Sequence, residues 1–333
     1  MCTALMLNTN QGNHIFGRSM DLEYHFGQAI HIVPRNYPYT NVVDKTNHKT
    51  KYAILSFGVL AQDATSRKYP LLADGVNEKG LACAGLNFPG YADFQEIDSQ
   101  KVNIGPHDVI LHILANFEYV GEVKDYIKGV HIVNRPFANG WPVATLHWMV
   151  SDKNGDSIVI ESTQKGLIVY ENKVGVMANS PEFDYHVTSL NQYIIQNPTT
   201  PKERAFGGVT LKPFGVGVGM VGIPGDFSGP TRFIRTAYFR SIIDGKYSDE
   251  DTLAEFFHVM DNVSIVRGSV LTQDGIDSMH QYKSCYNQEK GILYYTTYKN
   301  FQINSVSLFK EDLDAKEIKT FEYKDCQSIN AQN

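Results

Sequence analysis

The sequence predicts an α+β protein in which antiparallel sheets pack between helices. Three observations lead there. Short apolar runs joined by turn residues fill the N-terminal third, the middle and the end of the chain. Stripes of apolar residues at helical spacing form two blocks between them. The resulting order, strands, helices, strands, helices, strands, lacks the strict βαβ alternation of a doubly wound parallel sheet. No internal repeat, low-complexity segment or Pro/Ser-rich linker divides the 333 residues, so a single domain is expected.

Each element has its own signal. Thr3 to Asn8 and His14 to Met20 are apolar runs separated by Asn10-Gln-Gly-Asn13, the pattern of a hairpin. Gln28 to Val33 and Tyr52 to Leu60 are further Ile- and Val-rich strands. Ala61 to Lys68 is polar and reads as a surface loop. Asp74 to Gly80 reads as a turn feeding a strand over Leu81 to Leu86. Pro106 and Asp108 open a helix whose Val109, Ile110, Ile113, Leu114 and Phe117 share one stripe. A second helix spans Val120 to Lys128. Strands follow over Leu146 to Val150, Ser157 to Glu161, Gly166 to Tyr170 and Gly175 to Ala178. Thr231 to Ile243 and Asp251 to Val259 are amphipathic helices, and Ile292 to Thr297 and Ile303 to Leu308 are strands.

Composition narrows the function classes. A net charge of −6 offers no general field for nucleic acid or anionic lipid. No apolar run reaches the roughly 18 residues of a membrane span. The N-terminus has no basic region ahead of an apolar one, so no signal peptide is expected and the default location is the cytoplasm. Cys2, Cys83, Cys285 and Cys326 have no paired spacing, which excludes a zinc or thioredoxin-like motif and suits a reducing compartment. Cys83, Cys285 and Cys326 read as small buried or half-buried hydrophobes.

Two apparent motifs fail on context. Gly215 to Gly222 is glycine-rich, but Ile-Pro-Gly-Asp follows where a phosphate loop needs a helix N-terminus. Ser162-Thr-Gln-Lys165 has the spacing of penicillin-recognising serine enzymes, yet it joins two strand runs instead of opening a helix. His147 reads as a structural strand residue, and no histidine pair has metal-ligand spacing.

Met1-Cys-Thr3 is different. Removal of Met1 ahead of a small residue leaves a cysteine carrying both a thiol and a free α-amine. Their ordinary pKa values, about 8.5 and about 7.7–8.0, lie close enough for proton exchange near neutral pH. The plain alternative is a second residue that happens to be cysteine. The hairpin, however, brings Arg18 and Asp21 beside position 2. A cation there favours a thiolate, and a carboxylate accepts a hydrogen bond from the amine. An edge strand with a surface ion pair remains the competing reading.

With these residues, the chain resembles the choloylglycine hydrolase family, which contains bile salt hydrolases and penicillin V acylases. The resemblance is carried by Met1-Cys-Thr3, Phe16-Gly-Arg-Ser-Met-Asp21, Pro34-Arg-Asn36, Asn77-Glu-Lys-Gly80 and Ala84-Gly-Leu-Asn-Phe-Pro89. It continues through Leu146-His-Trp148, Asn179-Ser-Pro181, Gly222-Ile-Pro-Gly-Asp226, Arg232-Phe-Ile-Arg235 and Phe256-Phe-His258, in order over nearly the whole chain.

The resemblance implies an N-terminal-nucleophile hydrolase fold, an αββα sandwich of two mainly antiparallel sheets, in a mature chain of residues 2–333. It implies Cys2 as nucleophile and its amine as base. Arg18 and Asp21 fix thiol and amine, Asn179 and Asn87 stabilise the oxyanion, and Arg232 completes a network with Asp21. One such oxyanion donor is typically worth about 3 kcal/mol. Asn87 in a Gly-Leu-Asn-Phe context is similar to bile salt hydrolases, whereas the penicillin V acylase branch tends to have tyrosine there.

Met20, Phe57, Phe137, Trp141 and Leu146 are expected to line an apolar acyl pocket, with core packing the alternative for Met20 and Leu146. Burying a sterol face of ~300 Å² would contribute roughly 7 kcal/mol before entropy costs. The implied reaction is hydrolysis of a glycine- or taurine-conjugated bile acid, with no metal or organic cofactor. Penicillin V or N-acyl homoserine lactone acylase activity is the alternative within the class. A non-catalytic bile-acid-binding protein is the alternative outside it, and the joint presence of Cys2, Arg18, Asp21, Asn179 and Arg232 argues against that. By resemblance the assembly is a homotetramer, with Asn191 to Gly222 as the assembly loop.

Overall fold

The structure, a computed structural model, describes residues 1–63 and 66–333. β1 (Cys2–Asn8) and β2 (His14–Leu22) form the expected hairpin, and Gly12 turns it with φ +80°. β3 (Ala29–Val33) follows, then the short pair β4 (Pro38–Thr40) and β5 (Asn47–Lys49). β6 (Ile54–Gln62), β7 (Lys68–Asn77) and β8 (Ala82–Asn87) make a meander.

Two sequence expectations change here. The loop at Ala61 to Lys68 is shorter, because Ala61 and Gln62 pair with Tyr69 and Lys68. Ala64 and Thr65 lie outside the described residues. Asp74 to Asn77 belong to β7, and the turn is confined to residues 77–80, where the Gly80 N–H donates to the Asn77 carbonyl.

β9 (Val102–Ile104) precedes α1 (Val109–Asn116) and α2 (Val120–Ile127), both near their expected places. β10 (Val130–Ile132) pairs with β9. β11 (Leu146–Ser151), β12 (Ser157–Thr163), β13 (Gly166–Glu171) and β14 (Val176–Ala178) follow. Ser162 to Lys165 is thus a strand end and its turn. α3 (Phe183–Ser189) and an exposed hairpin of β15 (Arg204–Phe206) and β16 (Val209–Leu211) lead to α4 (Gly229–Ile243) and α5 (Asp249–Asp261). Ser248 caps α5 by accepting from the Asp251 N–H at 3.2 Å. The chain ends with β17 (Met279–Asn287), β18 (Ile292–Thr297), β19 (Asn304–Ser307) and β20 (Lys319–Phe321).

Two antiparallel sheets result, ordered β14-β1-β2-β17-β18-β19 and β13-β12-β11-β8-β7-β6-β3-β20. They stack face to face. Met6, Phe16 and Tyr282 of the first meet Leu55, Phe57, Val76 and Met149 of the second in one core, which extends to Phe233, Phe256 and Met260 of α4 and α5. α1 and α2 cover the other face of the eight-stranded sheet through Ile110, Leu114 and Val123 against Cys83, Trp148 and Ile160. The order of layers is therefore helices, sheet, sheet, helices. Sheets covered on both faces need apolar residues on both, so Ala4-Leu-Met-Leu7 is a continuous apolar run without alternation. Each large apolar side chain buried in these layers contributes about 1.5–3 kcal/mol.

Cys83 and Cys285 are buried as expected, but Cys326 lies exposed in the C-terminal segment, where no layer covers it. Among the described residues no helix is long and apolar enough to cross a membrane.

Candidate active site

Strand alternation sorts the residues around Cys2 onto two faces. Cys2 pairs with Met20 and Ala4 with Arg18, so Cys2, Met20 and Arg18 point together towards the second sheet. Thr3, Ser19 and Asp21 point the other way, towards α4. Both faces are deeply buried, with Cys2 only 2% exposed.

On the inner face, the Arg18 guanidinium donates from Nε to the Ser19 carbonyl at 2.8 Å, and its NH1 lies 3.5 Å from Asp74 Oδ2. Among the described residues its NH2 has no hydrogen-bond partner. Burial works against its charge. The fields of Cys2, Tyr282, Asp74 and Asp21 outweigh that cost and hold the guanidinium above its ordinary value.

On the outer face, Asp21 accepts from Ser19 Oγ at 3.1 Å and meets His280 Nδ1, across the β2–β17 pair, at 3.2 Å. Burial raises the Asp21 carboxyl. The His280 bond and charge, the terminal amine and Arg232 more than offset this and lower it below its usual range.

The Asp21 carboxylate thus holds Ser19 and His280, not the nitrogen of Cys2. That nitrogen donates instead to Asn179 Oδ1 at 2.6 Å. The terminal amine of Met1 donates to the Asp21 backbone carbonyl at 2.6 Å, and the Asp21 N–H returns to the Met1 carbonyl at 2.9 Å.

Arg232, in the first turn of α4, ties the network together. Its NH1 donates to the Cys2 carbonyl and, at 2.6 Å, to Thr3 Oγ1, and its NH2 donates to Asn179 Oδ1 at 2.6 Å. Burial pulls its pKa down, against the fields of Asp21 and Cys2. It reaches Asp21 only through that field, with no hydrogen bond between them. Gly229 lets α4 dock this closely, since a Cβ there would lie 2.4 Å from the Ser180 carbonyl oxygen. Asn179 Nδ2 donates to the Asn87 carbonyl at 2.5 Å, and Asn87 Oδ1 accepts from Thr145 Oγ1 at 2.8 Å. One Nδ2 hydrogen of Asn179 is thereby taken, and the second is left for another acceptor.

A cavity of about 420 Å³ opens from this cluster, with Cys2, Arg18 and Asn87 in its wall. Met20, Phe137, Trp141 and Leu146 line it as expected. Met20 also belongs to the core between the sheets and Leu146 packs against the core beneath the helices.

Phe57 does not line it. Phe57 is fully buried between the sheets, stacked on Tyr282 at 4.1 Å. The cavity takes Val59, the next residue on that face of β6 and one pleat nearer the opening. Sequence reasoning missed His107, which lies just before α1, lines the cavity and meets Phe137 edge-on at 5.3 Å. Its place after Pro106 carried no periodic signal.

His147 is buried on β11, stacked on Phe88 at 4.2 Å with Nδ1 3.0 Å from Glu161. Among the described residues no three His, Cys, Asp or Glu side chains gather as a metal site.

Comparison with known proteins accords with this geometry. The family of linear amide C–N hydrolases called the choloylglycine hydrolase family matches residues 2–321. A bile salt hydrolase/transferase of Clostridium perfringens is 46% identical over the full length of both chains. Another from Lactiplantibacillus plantarum is 40% identical over 96% of this chain and 95% of its own. The crystal structure of the C2A mutant of the C. perfringens conjugated bile acid hydrolase superposes over the whole of both chains with a TM-score of 0.94. A penicillin V acylase from Agrobacterium tumefaciens shares the fold, with a TM-score of 0.75 at 20% identity over 96% of this chain and 90% of its own. The chain therefore belongs to the choloylglycine hydrolase family, an enzyme family of linear amide hydrolases with the N-terminal-nucleophile αββα fold.

Proposed function

We propose that this choloylglycine hydrolase family member cleaves the amide joining a bile acid to glycine or taurine, with Cys2 as nucleophile once Met1 is removed. One observation carries the reading. The Cys2 side chain sits beside a buried arginine at the end of an apolar cavity, while its nitrogen is held by Asn179. The names of the full-length relatives support the substrate.

The steps follow from the site. The Cys2 thiol passes its proton to the α-amine on the same residue, and Sγ bonds to the amide carbonyl carbon. Arg18 on the same face favours the thiolate. The oxyanion meets the Asn87 side chain and the second N–H of Asn179 at the buried end of the cavity. The amine then protonates the leaving nitrogen as the C–N bond breaks, which releases glycine or taurine and leaves a thioester. Water, deprotonated by the same amine, attacks the thioester and restores Cys2. The sterol body fits the apolar wall of Met20, Phe137, Trp141 and Leu146.

The mature chain, residues 2–333, is taken as one domain, cytoplasmic and tetrameric. Exposed Phe206, Val209, Leu211, Phe214 and Val216 on and after the β15–β16 hairpin support self-assembly. Sedimentation velocity tests that state, and intact mass tests the loss of Met1.

The deciding experiment incubates the purified mature protein with glycocholate, taurocholate and penicillin V and quantifies released amine. Release from the bile conjugates, abolished in Cys2→Ala, is expected. Turnover of penicillin V with none from either conjugate would overturn the substrate.

A further inference from the structure

The site described so far leaves one buried carboxylate without a role. Asp74 is fully buried, and so is Arg18. They come from different sheets, Asp74 from β7 and Arg18 from β2. Two phenols fix the carboxylate from the same side as Arg18. Tyr286 donates to Oδ1 at 2.6 Å and Tyr282 to Oδ2 at 2.8 Å.

These tyrosines are four residues apart on β17 and share a face. Ser284, between them, is the register partner of Arg18, so the phenols straddle the arginine from the neighbouring strand. Behind them, Phe57 is the register partner of Asp74, stacks on Tyr282 and donates its N–H to Tyr286 Oη at 3.3 Å.

A bulge in β7 puts the carboxylate there. Phe57 pairs with Asp74 but Gly58 pairs with Leu72, leaving Ala73 as an extra residue. With strict alternation Leu72 and Asp74 would share a face. The bulge sends Leu72 to the outer core beneath the helices and turns Asp74 inward between the sheets. Ala73 itself lines the cavity.

We propose that Asp74 is a positioning residue for this enzyme, a carboxylate clamped by Tyr282 and Tyr286 that holds the Arg18 guanidinium beside Cys2. The proposal rests on the reading of Cys2 as nucleophile. Its physical basis is that a buried guanidinium needs a buried counter-charge, and one removed alone leaves the other uncompensated. Arg18 spends Nε on the Ser19 carbonyl and aims NH1 at Asp74, which among the described residues leaves its buried NH2 without a hydrogen-bond partner.

The thiol is then framed by Arg18 from β2 and Arg232 from α4. The opposing charges are Asp74 from β7 and Asp21 from β2. Asp74 does not touch substrate, and its effect passes through Arg18.

The test compares Asp74→Asn, Tyr286→Phe and the parent on the mature protein, by steady-state kinetics and by the pH dependence of iodoacetamide alkylation of Cys2. With Asp74→Asn, kcat falls about tenfold or more while KM stays within about threefold. The alkylation midpoint moves up by about half a pH unit, because the guanidinium that favours the thiolate is no longer held beside it.

Tyr286→Phe keeps the carboxylate but loosens the clamp. It lowers kcat by a smaller factor and covers the case in which Asp74→Asn does not fold. A lower melting temperature with kcat and the alkylation midpoint unchanged in both variants would mean a purely structural ion pair and overturn the proposal. The alkylation readout needs no substrate. Failure of the parent to release amine from bile conjugates would therefore count against the substrate and leave this test intact.

Discussion

The amide nitrogen of Cys2 donates to Asn179 Oδ1 across 2.6 Å, joining the first strand to the residue that follows β14. The same oxygen accepts from Arg232, so one side-chain carbonyl fixes both the nitrogen of Cys2 and the cation behind it. Asn179→Ala leaves two buried donors without that acceptor. It is expected to cost about 1–3 kcal/mol of stability. It also loses a candidate oxyanion donor, with kcat falling about 100-fold or more. Thermal melts and kcat on glycocholate check both, and a variant with parental kcat would remove Asn179 from the chemistry.

Cys2→Ser keeps the size and burial of residue 2 but replaces the thiol with a much weaker acid. The melting temperature and far-UV spectrum are expected to stay at parental values while turnover falls to a small residue. Appreciable activity in Cys2→Ala would end the nucleophile assignment.

Phe57 and Trp141 separate packing from recognition. Phe57 is fully buried against Tyr282, whereas Trp141 is 50% exposed at the cavity rim. Phe57→Leu is expected to lose about 1–2 kcal/mol of stability by underpacking, read as a lower urea midpoint. Trp141→Ala is expected to leave that midpoint unchanged and raise KM for bile conjugates. The opposite pattern would restore Phe57 to the pocket.

Asn87→Tyr puts a larger side chain into the cavity wall and gives up the hydrogen bond from Thr145. Bile-salt turnover is expected to fall, and phenoxyacetyl substrates to be favoured in relative terms. Unchanged kcat/KM for both substrate types would exclude Asn87 from specificity.

Three buried histidines make acid stability measurable. Burial pushes His31, His112 and His186 down to about 4; contacts to the Gly58 and Asn179 carbonyls oppose this at His31 and His186, and His48 adds to it at His112. Above the ordinary value of 6.5 these groups are neutral whether folded or not, and they contribute nothing to pH dependence. As pH falls below 6.5 the unfolded chain binds protons that the native state refuses, so stability declines until about pH 4 and then levels for these groups. Urea midpoints at pH 7.5, 6 and 5 are expected to fall in that order. His112→Gln is expected to flatten the slope, and a parental slope in that variant would remove His112 from the effect.

Legibility in the sequence followed local signal. The β1–β2 hairpin was readable because a Gly turn separates two apolar runs, and it brought Arg18 and Asp21 to Cys2. β7 was not, because Pro70 and Asp74-Gly75 carry turn chemistry inside a strand that tertiary contacts hold. β17 was missed for the same kind of reason. His280-Gln-Tyr-Lys-Ser284 reads as polar, yet the strand is buried between β2 and β18, with its polar groups paired to Asp21, Asp74 and Asp261. Phe57 carries the same sequence signal whether it faces a cavity or a core, and only the opposing Tyr282 decides. Arg232 was found by motif alone, since nothing local predicts that a helix residue will hold the carbonyl of residue 2.

The ladder that locks the first two residues has a consequence for how the protein is made. In the folded chain the Met1–Cys2 peptide is held by the backbone of Asp21 on one side and the Cys2 nitrogen by the Asn179 side chain on the other, just beyond a closing strand of residues 176–178 that pairs with residues 3–5. A trimming peptidase finds that end loose before the ribosome has delivered that closing strand. At some 5–20 residues per second this is an interval of roughly ten to forty seconds. A chain that escapes trimming in that interval folds to the same shape with its amine blocked. With the proposed Cys2 chemistry, specific activity of a preparation would then report how well synthesis and processing kept pace, while every spectroscopic measure of folding stayed the same.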